Sequence, residues 1–291
     1  MKIERCLLAA VVGSLILSGS LVSHGEGNQP SLPGRAWPKL IKQEARFDIP
    51  REVQEMFYRP GMPLQGEVKH AEFLPPVNTL LRPGARFDDT ALSAGRPDDL
   101  WMWVPPWLVG RFSTVFHRQI FTYDFRWHRI EQDDTYSLGL AHDEFGQQKD
   151  AAGHVWTYLG CPYTNTIMTV GGYVYQNYSR VEQVFLSPRC MVFKALYTAV
   201  SVSQPSHIIS KVVQFEGISE RKPIDDTHVR VEDSFKSFDE NGQPLQLTRT
   251  ISVAEKNSGF TKVDRLRGVD LRVSLKNFLL SRSMQALVPT E

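Results

Sequence analysis

The chain has 291 residues, 42% hydrophobic, 22% charged and 11% aromatic, with 33 Lys and Arg against 32 Asp and Glu. That composition excludes a disordered tail protein, a collagen-like rod and a multi-span membrane protein, and leaves one globular core or a core with an arm. A formal charge of +1 gives no general attraction to nucleic acid or to an anionic membrane.

In chain order, the first segment sets the compartment. Lys2, Glu4 and Arg5 precede an apolar run from Cys6 to Val22, and Ser23-His24-Gly25 follows. A basic start, an apolar centre and small residues at a cut match a secretory signal peptide over residues 1–25. The expectation is an exported protein: periplasmic, extracellular or lumenal. The alternative is an uncleaved N-terminal membrane anchor, but Gly13, Ser14, Ser18, Gly19 and Ser20 thin the run and a span needs about twenty apolar residues. Cleavage would remove two cations and one anion and leave a formally neutral chain.

Residues 26–103 form a proline-rich segment, with Pro30, Pro33, Pro38, Pro50, Pro60, Pro63, Pro75, Pro76 and Pro83. Proline fixes φ and removes a backbone donor, so long helices and central strands are disfavoured. One short helix is expected from Pro50 to Phe57. Trp37, Phe47, Phe57, Tyr58, Phe73, Leu80 and Leu81 are too many large apolar side chains for a freely solvated tail. The segment therefore reads as an extended arm packed on the body.

The body, residues 104–263, changes to period two, the pattern of strands. Phe121, Tyr123, Phe125 and Trp127 share one face of the clearest strand, and Thr122, Asp124 and Arg126 share the other. Val229, Val231 and Phe235 continue the pattern, as do Leu247, Ile251 and Val253. Further strands are expected over 153–159, 164–175, 180–187, 190–202 and 206–216, with Gly171-Gly172 marking a bulge or sharp bend. Without long helices between the strands, a doubly wound α/β fold is excluded. The expectation is mainly β: an antiparallel up-and-down barrel of about eight or nine strands, or else a β-sandwich. The tail, 264–291, carries one short helix near Ser274 to Ala286.

Cys161 and Cys190 are an even pair in the mature chain, which predicts a disulfide in an exported protein. Such a bond would close a loop of about 30 residues and stabilise by roughly 3 kcal/mol. Two buried free thiols are the alternative reading.

The segment from Pro105 to Phe112, with Gly110-x-Phe112 and Trp107 before it, resembles the first strand of lipocalin-like, or calycin, β-barrels. That family has Gly-x-Trp at this place; here phenylalanine replaces the tryptophan. The resemblance covers about residues 104–255, and Arg249 matches by position the family's late arginine that packs across the tryptophan. It implies a cup for a small apolar or amphipathic molecule; the sequence itself gives no sign of a cofactor. In that reading Phe121, Tyr123, Phe125 and Trp127 line the cup, with Arg249 as a further candidate; Tyr173 and Tyr175, which with Tyr178 follow the Gly171-Gly172 bend, read either as a ligand-binding mouth or as cross-strand pairs on a sheet face. The alternative for the aromatic stripe is a packed core.

Trp101, Trp103 and Trp107 form a dense aromatic patch, read either as an interaction surface for an envelope protein partner or as a plug at one barrel end. His142, Asp143, Glu144 and His154 are the candidates for a metal or acid–base group, although Asp143 to Gly146 also reads as a turn. Asn177-Tyr178-Ser179 fits a glycosylation acceptor. No nucleophile elbow, phosphate loop or dinucleotide fingerprint is present. The sequence thus supports three readings. They are an exported binding protein for a small apolar or amphipathic ligand, a cell-envelope or surface protein-interaction module with a filled barrel, and a hydrolase or metal-dependent enzyme. Charge gives no nucleic acid partner, and the oligomeric state is open.

Overall fold

The computed structural model describes residues 68–93, 97–131, 136–137, 142–187 and 189–289. The expected signal segment, the helix at Pro50 to Phe57 and most of the proline-rich arm lie outside the described residues.

The first strands are β1 (Trp101–Val104), the long β2 (Gly110–Asp124), β3 (Arg129–Glu131), β4 (Tyr136–Ser137), β5 (His142–Phe145), β6 (Gln148–Lys149) and β7 (Val155–Tyr158). A meander follows: β8 (Tyr163–Thr169), β9 (Gly172–Ser187), β10 (Cys190–Ser203), β11 (Ile208–Pro223), β12 (His228–Phe238) and β13 (Pro244–Ser258). A small ladder of β14 (Arg265–Leu266) with β15 (Val269–Asp270) leads into helix α1 (Leu271–Ser281). The main sheet runs β3-β2-β13-β12-β11-β10-β9-β8, with β4 and β5 also on β2. All its pairings are antiparallel.

The fold is mainly β, with antiparallel sheets, but the large sheet is not closed into a barrel. β8 forms one edge, and β3, β4 and β5 lie at the other. The expected strand over 164–175 is instead a hairpin whose tip is Val170-Gly171. Gly171 has φ of +84°, a left-handed conformation that costs glycine little. A Cβ on Gly172 would stand 2.0 Å from the Val202 carbonyl oxygen, so the close approach of β9 to β10 needs a glycine there too.

Strand alternation gives the sheet two buried faces. On the first, Tyr163 of β8, Tyr178 of β9, Tyr197 of β10 and Phe215 of β11 are register partners in turn. Their rings stack at centroid separations of 4.6, 4.9 and 4.9 Å, and the Arg267 guanidinium covers the outer side of Tyr163 at 3.3 Å. We call this the ladder face. Towards one end it is closed by Met102, Val104, Leu108, Phe112, Phe145, Met191 and Phe193.

The second face is crossed by residues 68–93. Leu81, Ala91 and Leu92 cover Val200, Val202, Ile209 and Val212, and the arm's backbone joins the turn after β12 through Leu74 N–H to the Gly242 carbonyl and Val77 N–H to the Glu240 carbonyl. Buried Glu216 is the anchor beneath. Its carboxylate accepts from the Ala71 N–H at 2.7 Å and the His70 ring at 2.8 Å, and pairs with Lys194 at 2.6 Å. Lys236 donates to the Ala71 and Glu72 carbonyls. Against burial, the bonds from His70 and Lys194 hold Glu216 below the usual carboxylate range, and burial lowers the His70 imidazole. A neutral His70 thus joins Glu216 to Ser234.

A smaller layer of β1-β7-β6 and α1 packs at the closed end. The helix starts at Leu271, ahead of the expected Ser274, because the Asp270 carboxylate accepts the Arg272 and Val273 N–H groups. This is a side-chain N-cap. Leu271, Leu275, Phe278 and Leu279 make its buried stripe.

Tyr178 is 1% exposed in the middle of the ladder, whereas Trp127 is 78% exposed. Tyr178→Ala is expected to cost about 3–4 kcal/mol and Trp127→Ala less than about 0.5 kcal/mol, measured by urea unfolding. Equal costs would contradict the placement of both rings.

Candidate functional site

Beyond Phe215 and Tyr197 the ladder face is not covered by any of the described residues, and a trough lies across it. One chamber has a volume of about 330 Å³ and is walled by Val174, Tyr197, Ala199, Val213 and Phe215, with Gln176 and Ser201 among them. A second, of about 240 Å³, is walled by Phe215, Phe235, Leu245, Ser237, Gln246 and Thr248, with Asp124 and Arg126 at its β2 end. Both chambers share Lys211, Val213 and Phe215 of β11, so the trough passes over adjacent strands from β9 to β2.

Each strand contributes by the same rule. On an extended chain alternate residues face one way, and antiparallel register aligns Ala199 with Val213 and Gln176, and Phe235 with Gly217 and Thr248. Across the sheet the ladder face grades from aromatic on β8–β11 to hydroxyl-bearing on β13 and β2, where Thr122 and Thr248 bond at 3.0 Å and His117 bonds Ser252 at 2.8 Å. Exposed apolar residues stand at both ends: Val170, 97% exposed, lines the first chamber at the β8–β9 hairpin, and Trp127 follows Arg126 on the turn after β2.

Deeper on the same face lies a charged cluster. Arg221 pairs with Asp143 at 2.9 Å and lies over the Phe145 and Phe193 rings. Asp233 accepts from the Ser219 hydroxyl. Burial raises both carboxylic acids against the pull of Arg221, Asp233 to about 6. The cluster ties β5 to β11 and β12 and joins the closed end to the trough floor.

The sequence-selected residues are distributed differently. Phe121 and Tyr123 pair with Arg249 and Leu247, on the arm face and not in the trough. Phe125 follows β2 in a turn, beside Tyr123 and Lys236. Trp127 stands in solvent at the rim. Tyr173, at the hairpin end of the first chamber, pairs with Val202 and its ring lies beside Tyr175 on the arm side. Tyr175 is on the arm face, stacked on Phe87 at 4.4 Å. Arg249 is buried on the arm face. Phe112 of the Gly-x-Phe segment is on the ladder face against Phe145, so Arg249 does not pack across it as the lipocalin resemblance implies.

Trp101 is 4% exposed and donates to the Ser274 hydroxyl, Trp103 packs with the same cluster, and Trp107 packs against the main core. The patch is a plug under α1 and not an exposed platform. The four metal candidates diverge because neighbouring residues of β5 face opposite ways. Asp143 turns inward to Arg221, His142 bonds Ser113, and Glu144 pairs with Arg111. His154 bonds Asp150 instead. Against burial, the Trp156 and His154 hydrogen bonds hold Asp150 low.

The predicted disulfide is absent. Cys161 and Cys190 are buried free thiols, Cys161 in the main core and Cys190 beneath Val68 on the arm face. The sheet separates them, and burial pushes both thiols up to about 11. Asn177 is buried, its side-chain amide donating to the Ser93 carbonyl and Thr164, which leaves no room there for a glycan.

An acid whose folded pKa exceeds its unfolded value loses stability as pH rises between the two. The cost of ionising Asp233 is therefore absent below about pH 4 and complete above about pH 6. Asp233→Asn keeps an acceptor for Ser219 and removes that cost. Its stabilising effect at pH 7.5 should exceed that at pH 4 by on the order of 1–3 kcal/mol, read from urea unfolding at each pH. An effect that grows towards acid would contradict this assignment.

No family model, curated protein or solved structure matches this chain.

Proposed function

We propose that this is an exported binding protein that holds a small apolar or amphipathic molecule in the trough on the ladder face. The observation carrying this reading is the pair of adjoining chambers, floored by Tyr197, Val213, Phe215 and Phe235 and open between exposed apolar rims. The first chamber, about 330 Å³, sits at the lower end of small-molecule sites, about 300–1,000 Å³, and the second, about 240 Å³, extends it. Burying a ligand against such a floor yields about 25 cal/mol per Å² of apolar surface removed from water. Export rests on the residue pattern of the first 25 residues. The interaction-module reading loses its basis in the Trp101 patch, and the enzyme reading loses its basis in the dispersed His142, Glu144 and His154.

Nile red, a neutral apolar dye, tests the reading. The protein should bind it with enhanced emission, and Ala199→Trp, which places a ring in the half-buried wall of the first chamber, should weaken binding at least about tenfold with an unchanged unfolding midpoint. Binding that Ala199→Trp leaves intact would overturn the trough as the site.

A further inference from the structure

The two chambers differ in chemistry. The first is walled mainly by carbon, from Val174, Tyr197, Ala199, Val213 and Phe215. The second adds Ser237, Gln246 and Thr248 and three charged groups, Asp124, Arg126 and Lys211. Lys211 stands at the junction, since it belongs to both walls.

The three charges are not equivalent. The Asp124 carboxylate accepts the Arg126 N–H at 2.8 Å and the Trp127 N–H at 3.1 Å. It closes the turn after β2, so its negative charge is already held by backbone donors. Among the described residues, no ion pair engages the side chain of Arg126 or Lys211. The polar chamber therefore offers two cations and several neutral hydrogen-bonding groups beside an apolar chamber.

From this asymmetry we propose that the ligand is an anionic amphiphile, its apolar chain over Tyr197 and Phe215 and its acidic head group between Lys211 and Arg126. The inference rests on the trough being the ligand site. From β9 to β13 the trough crosses four strand-to-strand steps of about 4.8 Å, close to 20 Å. An extended ten-carbon chain with its head group, about 14 Å long, fits within that distance. Arg126 and Lys211 are exposed, so their attraction is modest and screened by salt. The chain supplies affinity and the cations supply selection among head groups.

Displacement of Nile red by decanoate, 1-decanol and decyltrimethylammonium at pH 8 and low ionic strength tests the inference. Decanoate should bind about 5- to 20-fold more tightly than 1-decanol, and the cationic amphiphile most weakly. The preference should shrink in 0.5 M NaCl and vanish in a Lys211→Gln/Arg126→Gln variant that still binds 1-decanol. Equal binding of decanoate and 1-decanol, a preference for the cationic amphiphile, or a decanoate preference that survives in the double variant would each overturn the anionic head group while leaving the trough as a site. If neither decanoate nor 1-decanol displaces the dye, the trough reading falls and this inference falls with it.

Discussion

Stacking of four rings across four adjacent strands is the constraint on which the rest of this structure depends. Tyr163, Tyr178, Tyr197 and Phe215 each come from a different strand and meet only if β8, β9, β10 and β11 pair in one register. A slip by one residue would turn each ring to the opposite face. Each stacked contact adds about 0.5–1.5 kcal/mol beyond the area it buries. The ladder thus specifies register in the part of the sheet that ends in the β8 edge, where among the described residues no further strand helps to hold it. Arg267, reaching back from the segment before α1, caps the last ring.

The same register sets the chemistry of the other face. With the rings on one side, Glu216 and Lys194 of alternate positions must point to the other, where the arm lies. Buried charges are tolerated only when paired and hydrogen-bonded. The His70 ring and the Ala71 N–H bond Glu216, and the Ala71 and Glu72 carbonyls accept from Lys236, so the arm satisfies the sheet's charges as well as covering its apolar side chains. Both faces are consequently buried over much of the sheet, and the trough is the part of the ladder face that the described residues leave open.

That double burial explains what could be read from the sequence. Alternation in β2 correctly groups Phe121 with Tyr123, but periodicity does not say which face looks into the trough. The more apolar face of β2 lies on the arm side, and the ladder side carries Thr122 and Asp124. The apparent stripe also runs past the strand end. Asp124 closes a turn there, so Phe125 and Trp127 leave the alternating pattern. Asp124 was a legible turn signal that the aromatic alternation obscured. Tyr197, Phe215 and Val213 fall within expected strands, but nothing in the sequence distinguishes them, because the ladder has one ring per strand and emerges only through register. Barrel closure depends on edge-to-edge pairing of β8 with the opposite edge, a long-range contact that alternation within each strand cannot encode. An even cysteine count carries no information about the sheet that lies between Cys161 and Cys190.

These relations make one claim about place: a bound apolar chain lies against the ladder rings and not against the aromatic stripe of β2. Intermolecular nuclear Overhauser effects from ¹³C-labelled 1-decanol to assigned ring protons test it directly. The account predicts contacts to Tyr197 and Phe215 and none to Phe121 or Tyr123. Contacts to Phe121 and Tyr123, without contacts to the ladder rings, would contradict it.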